Sequence, residues 1–134
     1  MLEDIKEAII NRLLELYPGY TVYDEDMPAQ YQKPSFLIHV KSQNYTNLLQ
    51  GKFKAQINFD ISYNSNDSEA IKGDCVSIGQ ALLIGFDVIS NCRIKNKKAE
   101  TIENVLHFTF DIQYSVRKEE AFTKMQKQEI NTNI

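Results

Sequence analysis

Two histidines, His39 and His107, are the first residues in this chain that could do chemistry. An imidazole pair can relay a proton or bind zinc, but a zinc centre needs further close protein ligands. Both histidines fall at polar positions of alternating strand patterns, where a solvated imidazole is the plainer reading. Asp24-Glu25-Asp26 is the densest acidic cluster. Successive side chains of an extended chain face opposite ways, so only Asp24 and Asp26 could share a cation or form an acid/base pair. Without further carboxylates nearby, a solvated strand end is expected. Cys75 and Cys92 stand apart in unrelated contexts, which suits neither a zinc site nor a disulfide framework and predicts two reduced thiols. Ser77-Ile78-Gly79 lacks the first glycine of a nucleophile elbow and lies within a helical pattern. There is no glycine-rich phosphate loop and no His-Glu-x-x-His. These residues predict no catalytic, cofactor-binding or metal site, and the reading is of a protein that is not an enzyme.

The basic run Arg93, Lys95, Lys97, Lys98 has two readings. Lysines on an edge strand stop sheets from pairing edge to edge. Alternatively the run faces an acidic surface or passing DNA, because phosphate contacts need only positive charge.

The elements that must position these residues are clear in outline. From Lys52 to Asn64, Phe53, Ala55, Ile57, Phe59, Ile61 and Tyr63 alternate with polar residues. This is a strand with one dry and one wet face, and its register is well specified. Leu106, Phe108, Phe110, Ile112, Tyr114 and Val116 repeat the pattern near the C-terminus. The two are expected side by side at the sheet centre. Phe36, Ile38 and Val40 mark another strand, Tyr20–Tyr23 a short one, and residues 88–99 a weak one.

Leu2, Ile5, Ile9, Leu13 and Leu16 recur at helical spacing, with Glu3 and Asp4 in the first turn and Pro18-Gly19 as the stop. A second helix is expected to start at a capping box, Asn66 to Glu69, and to run to about Phe86. Ile71, Cys75, Ile78, Leu82 and Phe86 form its core stripe, widened by Val76 and Leu83. Ala70, Gly73, Ser77 and Ala81 form a stripe of small residues. Each of Gly73, Gly79 and Gly85 costs about 1 kcal/mol of helix stability relative to Ala, which close approach by the first helix or a neighbouring subunit would offset.

The predicted architecture is α+β, in the order α-β-β-β-α-β-β plus a weak C-terminal segment. A single, largely antiparallel (mixed) sheet carries both helices on its dry face. Residues 1–118 make one domain, and 119–134, whose large apolar residues are Phe122, Met125 and Ile130, form a tail or short helix. The connection Asn44–Gly51 carries Tyr45, Leu48 and Leu49. Either these extend the hairpin and fold back on the sheet, or they form an arm that packs on a neighbouring subunit.

Composition sets bounds. At 134 residues, 43% hydrophobic and 25% charged, the chain fits one folded domain. A net charge of −3 argues against a dedicated nucleic-acid binder. No apolar run approaches the roughly 18 residues of a membrane span, so no membrane partner is expected. The acidic, helical N-terminus does not have the pattern of a signal peptide.

One resemblance spans most of the chain. Its residues are Leu16-Tyr17-Pro18-Gly19-Tyr20-Thr21-Val22-Tyr23, the acidic turn through Met27-Pro28-Ala29-Gln30, and Lys33-Pro34-Ser35-Phe36-Leu37-Ile38. Phe59-Asp60-Ile61-Ser62-Tyr63 and the segment Met125–Asn131 add to it. Together they resemble the tail terminator (tail completion) proteins of contractile-tailed phages and phage-like elements. The chain departs at Ala29-Gln30, where the pattern has Gln followed by Gly.

The resemblance implies a homo-oligomeric ring, usually of six subunits, on the last ring of the tail tube. Such a ring stops tube polymerisation and offers a surface to the head–tail connector. Assembly would take place in the host cytoplasm, and the protein would then reside in a virion or phage-tail-like particle. DNA would only pass through the lumen, and no cofactor is implied. Candidate subunit or tube contacts are Met27, Pro28, Gln30, Tyr31, Tyr45, Leu48 and Leu49. Arg93, Lys95, Lys97 and Lys98 are candidate lumen residues. Two alternatives remain at this point: a small cytosolic adaptor without catalysis, and a small enzyme with a non-local site around Cys92 or His107.

Overall fold

The fold follows from where the two strongly alternating segments send their side chains. A computed structural model describes residues 2–67 and 69–117. Helix α1 spans Leu2–Leu16, followed by strands β1 (Thr21–Asp24), β2 (Ser35–Asn47) and β3 (Lys52–Asn64). Helix α2 (Ile71–Gly85) precedes β4 (Val88–Ile89), β5 (Cys92–Ile102) and β6 (Val105–Arg117). The predicted order holds, with the two-residue β4 added ahead of β5. The expected tail or short helix over 119–134 lies outside the described residues.

The six strands form one sheet in the order β1-β2-β3-β6-β5-β4. β3 and β6 are the central neighbours, paired antiparallel from Lys52↔Arg117 to Tyr63↔Leu106. Only β1 runs parallel to its neighbour, β2, which makes the sheet mixed. The dry faces of β3 and β6 meet helices on one side. Ile5, Ile9 and Leu13 of α1 and Cys75, Ile78 and Leu82 of α2 share a single core with Ile57, Phe59, Ile61, Phe108, Phe110 and Ile112. Phe59, Phe108, Phe110 and Phe86 make a chain of ring contacts through this core. Tyr17, Tyr20, Phe36 and Tyr63 stack where α1 meets the sheet. Such contacts add to the area these rings bury.

Helix α2 starts later than the Asn66–Glu69 spacing suggests. Asp67 Oδ1 accepts the amides of Glu69 and Ala70, forming a turn ahead of the helix, and the helix begins at Ile71. Asp74 in its first turn is held by Tyr63 Oη (2.7 Å) and by Ser65 Oγ. Burial, followed by the adjacent Asp74 carboxylate, pushes the Tyr63 phenol up, so its proton stays in place to donate.

The glycines of α2 have different surroundings. A Cβ on Gly79 would meet Leu106 Cδ1 at 3.1 Å and Ala99 Cβ at 3.2 Å, so here β5 and β6 approach closely. A Cβ on Gly85 would meet Leu16 Cδ1 at 3.1 Å, which is the expected approach of α1. Gly73 has nothing within 4 Å, and with Ala70 and Ser77 it faces outward. Val76, expected to widen the core stripe, is also exposed.

Candidate assembly interface

The strands carry the candidate contact residues to the two ends of the sheet. β3 is 13 residues long, which separates its ends by about 40 Å. At one end, Met27 is half-buried with its Sδ 4.0 Å from Asn64 Nδ2, while Pro28 and Gln30 are exposed. Tyr31 is half-buried under Lys33 Nζ, 5.7 Å from the ring centroid. The Gln32 amide donates to Tyr23 Oη at 2.9 Å, tying this loop back to β1.

The other end is the tip of the β2–β3 hairpin. Pairing continues to Asn47↔Phe53, leaving a short turn closed by the Leu48 amide on the Lys52 carbonyl at 2.8 Å. Of the two readings of Asn44–Gly51, this is the extended hairpin. Its apolar residues are still open to solvent: Leu49 is 87% exposed, Tyr45 52% and Leu48 43%. Tyr45 packs edge-on against Phe53 on the dry face, 5.5 Å between centroids. β1 covers β2 only over Ser35–Ile38, so Lys41–Asn47 form an open strand edge with every residue exposed.

The acidic cluster Asp24-Glu25-Asp26 is structural. Glu25 stands at positive φ (67°), its amide donating to the Ile38 carbonyl and its Oε1 accepting the Val40 amide at 3.0 Å. Lys6 reaches from α1 to Asp24 (2.9 Å) and Glu25 (3.1 Å), and His39 Nδ1 lies 3.0 Å from Glu25 Oε2. Partial burial alone would raise the Glu25 carboxyl. The Val40 amide, Lys6 and His39 outweigh it and hold that carboxyl below the usual carboxylate range. Burial likewise works against the Lys6 ammonium, and its two carboxylate partners raise it.

The basic run is divided by a β-bulge. The β5–β6 register shifts between Lys95 and Lys98, where Asn96 takes positive φ (56°). Asn96 Nδ2 donates to Asp111 Oδ2 at 2.7 Å, and Asn58 Nδ2 donates to Asp111 Oδ1 at 2.6 Å. Lys97 is thereby turned to the helix side. Its ammonium donates to the carbonyls of Leu83 and Phe86, both at 2.9 Å, at the negative end of the α2 dipole. Lys98 pairs with Glu100 at 3.6 Å.

Arg93 and Lys95 remain together on the wet face, lining a shallow cleft of about 420 Å³ with Lys54, Gln113, Tyr114 and Ser115. Sequence reasoning missed Lys54 as a member of this group. No spacing within the chain signals it, because only the β3–β6 register sets it against Ser115.

The residues weighed for catalysis do not converge. Burial pushes both cysteine thiols up, away from the reactive thiolate. Cys92 shares the cleft with Tyr114, whereas His107 lies seven residues from Tyr114 along β6, about 23 Å of extended strand. His107 is held by Asp60 at 3.2 Å. Among the described residues no group of three or more His, Cys, Asp or Glu could hold a metal ion. No described helix is long and apolar enough to cross a membrane.

The geometry presents exposed apolar residues at a hairpin tip, an open strand edge and a cationic cleft. Residues 4–124 match a family described as phage tail terminator protein. The chain belongs to this family. A comparison with curated proteins finds no match. Membership gives this terminator a structural role in tail assembly and associates it with phage tail components.

Proposed function

We propose that this terminator closes into a ring, with six subunits the expected number, on the last ring of a tail tube. It stops tube growth there and presents a surface to the head–tail connector, acting through shape and contact without covalent chemistry. The observation that carries this reading is the family match over residues 4–124. The sheet adds to it, with one set of contact residues at each end: Met27, Pro28, Gln30 and Tyr31 at one, Tyr45, Leu48 and Leu49 at the other. A protein between two axial neighbours needs two such ends. A ring also needs heterologous contacts, in which one surface meets a different surface on the next copy and the rotation closes. In this reading Lys54, Arg93 and Lys95 line the lumen and tolerate passing DNA. The protein assembles in the host cytoplasm and remains in the particle.

Polymerising tube subunits with and without the protein tests the reading. Electron microscopy should show shorter tubes with a distinct terminal ring as the protein is added. Tubes of unchanged length and bare ends, at protein in excess over tube ends, would overturn it.

A further inference from the structure

Three cations on the wet face of the sheet have no counter-charge. Lys54 on β3 and Arg93 and Lys95 on β5 flank β6, whose Gln113 and Ser115 lie between them. Two strand spacings, roughly 10 Å, separate Lys54 from the β5 pair, and Arg93 and Lys95 are roughly 7 Å apart along their backbone. All three are exposed. Among the described residues the side chains of Lys54 and Arg93 have no ion pair or hydrogen bond, and Lys95 meets only the neutral Gln113, at 3.3 Å. Other bases are occupied: Lys6 by two carboxylates, Lys97 by two carbonyls and Lys98 by Glu100.

The nearest acids do not fill this cleft. Asp111 stands opposite Lys95 in the β5–β6 register, but it is 8% exposed and both its oxygens accept asparagine amides. Asp87, whose carbonyl accepts the Ile94 amide, does not line the cleft. No lining residue is acidic and none is aliphatic. Pockets for small molecules are lined mainly by apolar side chains with a few polar groups. Here cations predominate, with Asn91, Gln113 and Ser115 as neutral donors beside them. Arg, Lys, Asn, Gln and Ser are the side chains that hydrogen-bond phosphate oxygens on nucleic acid.

We infer that this cleft is a binding site for the phosphodiester backbone of DNA. Lys54 on one side and Arg93 with Lys95 on the other take phosphate oxygens, and Asn91, Gln113 and Ser115 add neutral hydrogen bonds. Arg93 offers a phosphate two parallel N–H donors, whereas the lysines act as point charges. Such contacts fix position and carry no sequence information. The chain's net charge of −3 opposes tight binding of nucleic acid by the molecule as a whole. The contact is therefore local, weak and steeply salt-dependent, which suits a duplex that must slide past. The placement of the cleft on a lumen wall rests on the ring reading, while the binding belongs to the cleft itself.

Fluorescence anisotropy of a labelled duplex of arbitrary sequence, titrated with the full chain, tests the site. Native mass spectrometry on the same samples records the oligomer. For each cleft engaged, log K should fall against log[salt] with a slope of about −2.7, the value for three neutralised phosphates. Two unrelated sequences should bind alike. A variant combining Lys54→Gln, Arg93→Gln and Lys95→Gln should lose at least about tenfold in affinity near ~50 mM salt, and most of the slope with it. Lys72→Gln removes a positive charge from α2, outside the cleft, and should stay within about twofold of the parent. All four residues are exposed, so both variants should keep the parent's circular dichroism and unfolding midpoint. No binding at low salt, unchanged binding by the triple variant, or an equal loss from Lys72→Gln would overturn the site. So would an oligoglutamate of matched charge that competes as well as unlabelled duplex. Rings that form without binding DNA would overturn the cleft and leave the ring reading standing. DNA binding by a parent that never exceeds a monomer would support the cleft and remove the ring reading.

Discussion

Lys97 and Lys98 are adjacent in sequence and face different fates. The Lys97 ammonium occupies two carbonyls at the end of α2, where it stands in for the hydrogen bonds that a helix leaves unmade. Lys98 makes one exposed ion pair. Lys97→Met should therefore cost about 1–2 kcal/mol in urea unfolding, and Lys98→Met should stay within about 0.5 kcal/mol of the parent. Equal effects would contradict the bulge. That bulge depends on Asp111, 8% exposed and held by two asparagine amides. Asp111→Ala leaves both amides short of a partner and should cost about 2–3 kcal/mol, a larger loss than at either lysine. Glu25 gives a pH dependence. Its carboxyl is held below the usual value of 4.5, so its contribution is complete above that pH and is lost as pH falls through the lower folded value. The stability difference between the parent and Glu25→Gln, followed by urea unfolding, should be constant near neutrality and shrink below pH 4.5. A difference that grows on acidification would contradict the Lys6–Glu25–Val40 arrangement.

At the scale of elements, the three glycines of α2 separate helix propensity from packing. Gly73→Ala removes a helix penalty and meets nothing, so it should stabilise the monomer by about 0.5–1 kcal/mol. Gly79→Ala gains the same propensity but pushes a methyl into Ala99 and the buried Leu106, and should be destabilising in the same thermal melt. The elements themselves were legible because their signals are periodic. The alternation of β3 and β6 and the stripe of α1 each repeat over many residues, and burial follows those repeats. What was not legible depends on register or on single residues. The spacing of Arg93, Lys95 and Lys97 reads as one strand face, with Lys98 next in line, until Asn96 takes a left-handed conformation and shifts the register so that Lys98 stands opposite Thr109; Asp111, which holds Asn96 there, lies on another strand. Lys54 joins Arg93 and Lys95 only through strand order. The parallel pairing of β1 likewise has no mark in its four residues. Val76 fits either a widened core stripe or an outer face, and because α2 buries Cys75, Ile78, Gly79 and Leu82, Val76 falls on the outer face.

The whole molecule is asymmetric in a way that suits assembly. Its wet sheet face is a set of paired polar side chains: Gln56 with Gln113, Asn58 with Asp111, Asp60 with His107. Its exposed large apolar residues include Tyr45, Leu48 and Leu49 at the hairpin tip and Val76 and Ile84 on α2, and the loop carrying Met27, Pro28, Gln30 and Tyr31 lies at the opposite end of the sheet from the tip. Family membership was legible in short segments, residues 16–23, 33–38 and 59–63, which lie on turns and strands of the fold, whereas residues 125–131 fall outside both the matched and the described residues. The surfaces that would join subunits have no such signature, since an exposed leucine reads the same whether it meets water or a partner. The central claim is that this terminator acts as a closed ring, and native mass spectrometry over a concentration series tests it most directly. Six copies of the 15.5 kDa chain make 93 kDa, and that species is predicted, either from the protein alone or once tube subunits are added. A monomer or dimer at every concentration, with tube subunits present, would contradict it.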